Sequence, residues 1–90
     1  MANKMITVVM YGFPAQYPVI FTDEDGTNTG KSVPIELLAG YVAAAASEKH
    51  INQVKICGNR ERGNALAEDI LFINRTDYAN NNLEIEVVAE

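Results

Sequence analysis

The run from Met5 to Tyr11, MITVVMY, constrains this fold more than any other. It is almost continuously apolar and rich in β-branched side chains. A run without a polar face is expected to be a strand buried on both sides, at the centre of a sheet. Gly12-Phe13-Pro14 ends it. The stretch lacks an Ala-x-Ala cleavage site, so it reads as a strand rather than a secretory leader, and a cytoplasmic protein is expected.

The remaining elements fall around that strand. Tyr17–Thr22 reads as a second strand, with Pro18 at its start because proline cannot donate a ladder hydrogen bond. Asp23 to Gly30 is turn chemistry throughout, and Lys31–Val33 reads as a short strand returning antiparallel. Ser32 as N-cap and Pro34 in the first turn suit the start of a helix. Ile35, Leu38, Val42 and Ala45 or Ala46 then recur at helical spacing up to Lys49-His50. The alanines at 43–46 favour helix and give it a thin face. Asn52–Cys57 reads as a strand, Gly58-Asn59 as a turn, and Arg60–Arg75 as a second helix burying Leu66, Ala67, Ile70 and Ile73. Gly63 weakens that helix's first turn by about 1 kcal/mol relative to alanine. Asn80-Asn81-Asn82 reads as a loop. Leu83–Ala89 closes as a strand with Leu83, Ile85 and Val87 inward and Glu84 and Glu86 outward.

The order β-β-(β)-α-β-α-β has one arrangement that satisfies these constraints. A hairpin opens it, and two right-handed parallel crossovers follow. The expectation is one α/β domain over residues 1–90, with a mixed sheet of four to five strands in the order 3-2-1-4-5. Both crossovers move the same way, so both helices lie on one face of the sheet. The other face is left open beside the most apolar strand. Ile6, Val8, Val9, Met10 and Tyr11 are therefore the candidate interface for a second copy or a protein partner. The competing expectation is that Phe13, Tyr17 and Tyr78 fold over that face and cover it.

Composition excludes several classes of function. The net charge is -5, and the basic residues are scattered except for Arg60 and Arg62. Nucleic-acid binding needs them clustered. No apolar run approaches the roughly 20 residues of a membrane span. One cysteine and one histidine preclude an internal disulfide and argue against a zinc site, so no metal and no cofactor are expected.

Individual motifs give little chemistry. Asp25–Ser32, DGTNTGKS, sits where a P-loop would, but a carboxylate stands where that loop requires glycine. Asp23-Glu24-Asp25-Gly26 lacks the later glycine and glutamate of a calcium loop. His50 falls at a helix C-terminus, where a proton favours the dipole. Cys57 has no paired base, so a buried thiol is expected rather than a nucleophile. Gly58-Asn59-Arg60-Glu61-Arg62 is more promising. It lies at the carboxyl end of a parallel strand beside the switch in connection direction, where open α/β sheets bind ligands. Gly12, Gly58, Asn59, Arg60 and Arg62 are the candidate site for a small anion or nucleotide. The simpler reading makes Asn59 a helix cap and leaves both arginines solvated.

Val54-x-Ile56-x-Gly58-Asn59, Leu66-Ala67-x-x-Ile70, Tyr78-x-x-Asn81-Asn82 and Leu83-Glu84-Ile85-Glu86-Val87 resemble small uncharacterised phage and prophage proteins over about the last forty residues. The resemblance implies a phage origin and no defined chemistry. The strand order is separately similar to a ribonuclease H-like core. That family places a metal-binding aspartate on the first strand, which here has no carboxylate, so nuclease activity is not implied. The expected function is a non-enzymatic accessory protein that self-associates or binds a protein partner through its sheet face. The alternative is an anion- or nucleotide-binding module at residues 58–62.

Overall fold

Among the described residues, five strands form a single mixed sheet in the order β3-β2-β1-β4-β5, with two α-helices and one short 3-10 turn. The computed structural model describes residues 4–12, 15–79 and 82–89. Phe13 and Pro14, expected to end the first strand, and Asn80 and Asn81, expected in the last loop, lie outside the described residues. The strands are β1 (Met5–Met10), β2 (Gln16–Thr22), β3 (Asn28–Pro34), β4 (Gln53–Gly58) and β5 (Glu84–Ala89). The helices are α1 (Leu38–Lys49) and α2 (Arg60–Asp77). β1 pairs antiparallel with β2 and parallel with β4, and β5 adds parallel to β4.

The alternation along each strand sets the two faces. On β1, Ile6, Val8 and Met10 are buried, while Met5, Thr7 and Val9 are half-buried. The ladder carries Val8 to Val19 on β2 and to Ile56 on β4, so these share the buried face. Both helices cover that face. The Phe21 ring meets Tyr41 of α1 at 6.0 Å, and the backbone of α2 at Gly63 closes on Val87 and Ile56. Leu38, Val42, Ala43, Ala45 and Ala46 of α1 and Leu66 and Ile70 of α2 complete the core. The molecule is 21 Å through its thinnest direction. Two packed layers, one of sheet and one of helix, account for that thickness.

Several local expectations are corrected. β1 is not buried on both sides; its second face is only half covered. β3 is longer than Lys31–Val33, because Asn28, Thr29 and Gly30 pair with Thr22, Phe21 and Ile20. Ser32 therefore lies inside a strand and caps no helix, and Pro34 ends β3. Ile35–Leu37 forms a 3-10 turn before α1, which leaves Ile35 48% exposed instead of facing the core. The Ile35 N–H donates to the Ala15 carbonyl, which holds this corner beside the start of β2. Ile73 and Ala67 are only partly buried, and Leu83 is buried just ahead of β5.

The Asp23–Gly26 turn is built by its own side chains. The Thr27 N–H donates to Asp25 Oδ1 at 2.9 Å, and Gly26 takes the left-handed φ of 87°. That hydrogen bond, with a second from the Thr27 side chain, holds the Asp25 carboxyl below its ordinary value. At the end of α1, His50 turns left-handed and the Ile51 N–H returns to the Ala46 carbonyl. The Lys49 ammonium folds back over the Phe21 ring at 5.2 Å.

Candidate functional site

The two ends of the sheet differ in chemistry because of how β1 and β4 finish. Gly58 closes β4 at φ 140°, buried directly against β1. A Cβ there would overlap the Met10 carbonyl oxygen, so only glycine lets the two strand ends approach this closely. Asn59 follows as the N-cap of α2, and its side chain accepts from the Arg62 N–H at 3.0 Å. The cap thereby fixes where the Arg62 side chain starts.

Arg62 reaches back across the strand ends. Its guanidinium donates to the Tyr17 hydroxyl at 2.5 Å and to the Gly12 carbonyl at 2.7 Å. A longer contact of 3.4 Å reaches the Met10 carbonyl. Tyr17 in turn donates to the Gly12 carbonyl at 3.1 Å, and the guanidinium carbon lies 5.8 Å from its ring centre. Arg62, Tyr17 and Gly12 form a closed ring of hydrogen bonds that clamps α2 to the ends of β1 and β2.

This geometry brings four of the five candidate anion-site residues together but gives them structural work. Gly12 supplies an acceptor, Gly58 a close approach, Asn59 a cap and Arg62 the clamp. Arg60 is exposed and shares a shallow open depression with Asn59, Glu61, Asn64 and Ala89. The Glu61 carboxylate beside it opposes an anion there. Tyr17, expected as a cover for the open face, belongs to this site instead. Its place in an alternating strand signalled burial, but nothing local signalled that an arginine 45 residues later would bond its hydroxyl.

The candidate interface residues divide between the two faces. Ile6, Val8 and Met10 lie beneath the helices at 0%, 0% and 4% exposure, so none of them is available to a partner. The expectation that they contribute is corrected by the alternation of β1. Val9 and Tyr11 fall on the open face, and Tyr11 is 48% exposed. The ladder sets Val9 beside Cys57, and Cys57 beside Val88. On the other side, β1 and β2 pair as far as Val8 and Val19, and Pro18 pairs with Ser32 of β3. Ile20 lies next to Thr7 in the row below, which runs on through Lys55 to Glu86. The open face is thus apolar at the carboxyl end of the parallel strands and polar at the other. Of the residues expected to cover it, Tyr17 is buried on the opposite face, and Tyr78 is the C-cap of α2, 40% exposed. Phe13 lies outside the described residues.

No protein-family model matches the chain, and no curated protein matches it.

The other candidates take quiet places. Lys31 and Ser32 of the DGTNTGKS segment belong to β3, not to a loop leading into a helix, so the segment cannot cradle phosphate in the P-loop manner. His50 precedes β4 and Cys57 lies near its far end, so the length of the strand separates them. Among the described residues, no three His, Cys, Asp or Glu side chains gather closely enough to hold a metal ion. Among the described residues, no helix is long and apolar enough to cross a membrane.

Proposed function

We propose that this chain is a non-enzymatic interaction protein of the phage-accessory kind. It acts in the cytoplasm, and it self-associates or docks on a protein partner through the open face of its sheet. The observation that carries the reading is the apolar end of that face. Val9, Cys57 and Val88 form one contiguous apolar row on adjacent strands, Ile20 on β2 lies one row below, and among the described residues no helix lies over them. Parallel strands are ordinarily covered on both faces, because water contact with their apolar side chains is unfavourable. The broad dimensions of the molecule are 32 and 30 Å. The sheet itself, five strands of six or seven residues, spans roughly 24 by 20 Å, at the small end for a specific interface. The polar half of the face, with Thr7, Lys55 and Glu86 in one row, would set orientation rather than affinity.

The anion-binding reading has less support. The arginine best placed for it, Arg62, already donates to Tyr17 and Gly12.

Native mass spectrometry of protein gently recovered from its producing cells tests the proposal. The expected result is a dimeric mass, or an added protein mass, that is lost in both Val9→Lys and Ile20→Lys. A bare monomer of 9.9 kDa in the parent would overturn it.

A further inference from the structure

We infer that the helical layer carries a second docking surface, a groove that takes a positively charged amphipathic helix from a protein partner. The groove lies between the 3-10 turn with the start of α1 and the second half of α2, and it measures about 590 Å³. Leu37 and Phe72 line it and are the two most exposed large apolar side chains among the described residues, at 60% and 62%. Gly40 and Ala39 form its α1 wall, and a Cβ added at Gly40 would meet nothing within 4 Å. Space for another chain's apolar side chain is therefore present against the α1 backbone. A groove of this size between two helices suits the anchors that an amphipathic helix presents at i, i+3 or i+4, and i+7.

Charge selects the occupant. The Asp and Glu side chains lining the groove are Glu36 and Asp69, and among the described residues no Lys, Arg or His lines it. Glu61 and Glu68 follow the same exposed side of α2 as Phe72 by helical spacing. Of the nearby cations, Lys49 lies over Phe21 and Arg62 is in its clamp, while Lys31 lies over the ring of Tyr41 on the α1 wall of the groove. Arg75 is a second cation near the groove, one turn beyond Phe72, but the charged side chains that line it are acidic. An acidic rim around an apolar floor attracts a basic amphipathic helix. It disfavours an isologous pair with a second copy, which would set Glu36 and Asp69 against their own kind. Anionic lipid and nucleic acid are disfavoured for the same reason. This surface is on the opposite side of the molecule from the open sheet face, so the two proposals stand or fall separately.

The test is selection of a displayed library of randomised helical peptides against the whole chain. The expected binders combine apolar residues at the spacing above with net positive charge. Their affinity should fall at least tenfold for Phe72→Ser and Leu37→Ser, and at least tenfold for the double variant Glu36→Lys/Asp69→Lys. Val9→Lys should leave it unchanged. Phe72 and Leu37 are exposed, so these variants should keep the parent's far-ultraviolet circular dichroism. The inference is overturned if no peptide is enriched, if the enriched peptides are neutral or acidic, or if basic binders ignore Phe72→Ser. A parent dimer lost in Phe72→Ser but not in Val9→Lys would also overturn it, by making a second copy the occupant.

Discussion

Replacing Arg62 with alanine removes the clamp between α2 and the ends of β1 and β2. Two of its hydrogen bonds are short, at 2.5 Å to Tyr17 and 2.7 Å to the Gly12 carbonyl. A hydrogen bond from a charged donor contributes about 1.5–3 kcal/mol when shielded, and nearer 1 kcal/mol when exposed to water. The Tyr17 contact is part-buried and the Gly12 contact exposed, so the pair is worth about 2–3 kcal/mol by the same scale. Stacking on the Tyr17 ring adds about 0.5 kcal/mol. For a domain of this size each kcal/mol moves the melting temperature by roughly 4–8 °C, so a fall of about 10 °C or more is expected. Urea unfolding should show the same loss at an unchanged denaturant slope. Arg62→Lys should recover less than half of it, because an ammonium cannot span both acceptors. A double-mutant cycle with Tyr17→Phe should give a coupling of about 1 kcal/mol. A loss below about 0.5 kcal/mol for Arg62→Ala, in the range of ordinary surface changes, would show that Arg62 is solvated and would return it to the candidate anion site.

Three further outcomes are expected. Gly40→Ala should stabilise by about 0.5–1 kcal/mol, since the new methyl meets open space in a helix that gains propensity; unfolding midpoints measure it. Gly63→Ala should destabilise by about 1–3 kcal/mol despite the same propensity gain, because its Cβ would lie 2.8 Å from Val87 Cγ1. A stability equal to or above the parent's would contradict the close packing of α2 on β5. The Asp25 carboxyl should titrate below its ordinary value of 3.8. Its ionised form is favoured by folding, so the contribution is complete above that value and fades as pH falls through the lower folded midpoint. A carbon-detected NMR titration with a midpoint at or above 3.8 would contradict the turn geometry.

Much of the architecture was legible because the strongest signals were local and mutually consistent. The apolar run at Met5–Met10 demanded a central strand, and the alternation at Glu84–Ala89 suited an edge. With right-handed crossovers, those two placements leave one strand order. Boundaries were less legible where a turn-forming composition met tertiary pairing. Asn28, Thr29 and Gly30 have poor strand propensity, yet β2 supplies them with ladder partners. Pro34 was compatible with ending a strand or opening a helix, and the Ile35 N–H bond to Ala15 decided for the former.

The candidate site was legible in position and not in role. Gly58 and Asn59 were placed at the end of β4 from sequence, but the close approach to Met10 depends on a strand some fifty residues earlier. The face of β1 that stays open was undecidable from a run without a polar side. Only the register with Val19 and Ile56 assigns Ile6, Val8 and Met10 to the core. Phe72 gave a readable hint, because it falls off the stripe of Leu66 and Ile70, and an aromatic off the buried stripe of a helix remains exposed.

Cys57 offers the most direct test of the sheet-face interface, since it is half-buried on that face between Val9 and Val88. The rate of its alkylation by iodoacetamide can be compared between dilute purified protein and protein in a fresh extract of its producing cells. The account predicts labelling at least tenfold slower in the extract, with the protection lost in Val9→Lys. Equal rates in the two settings, or protection that persists in Val9→Lys, would contradict it.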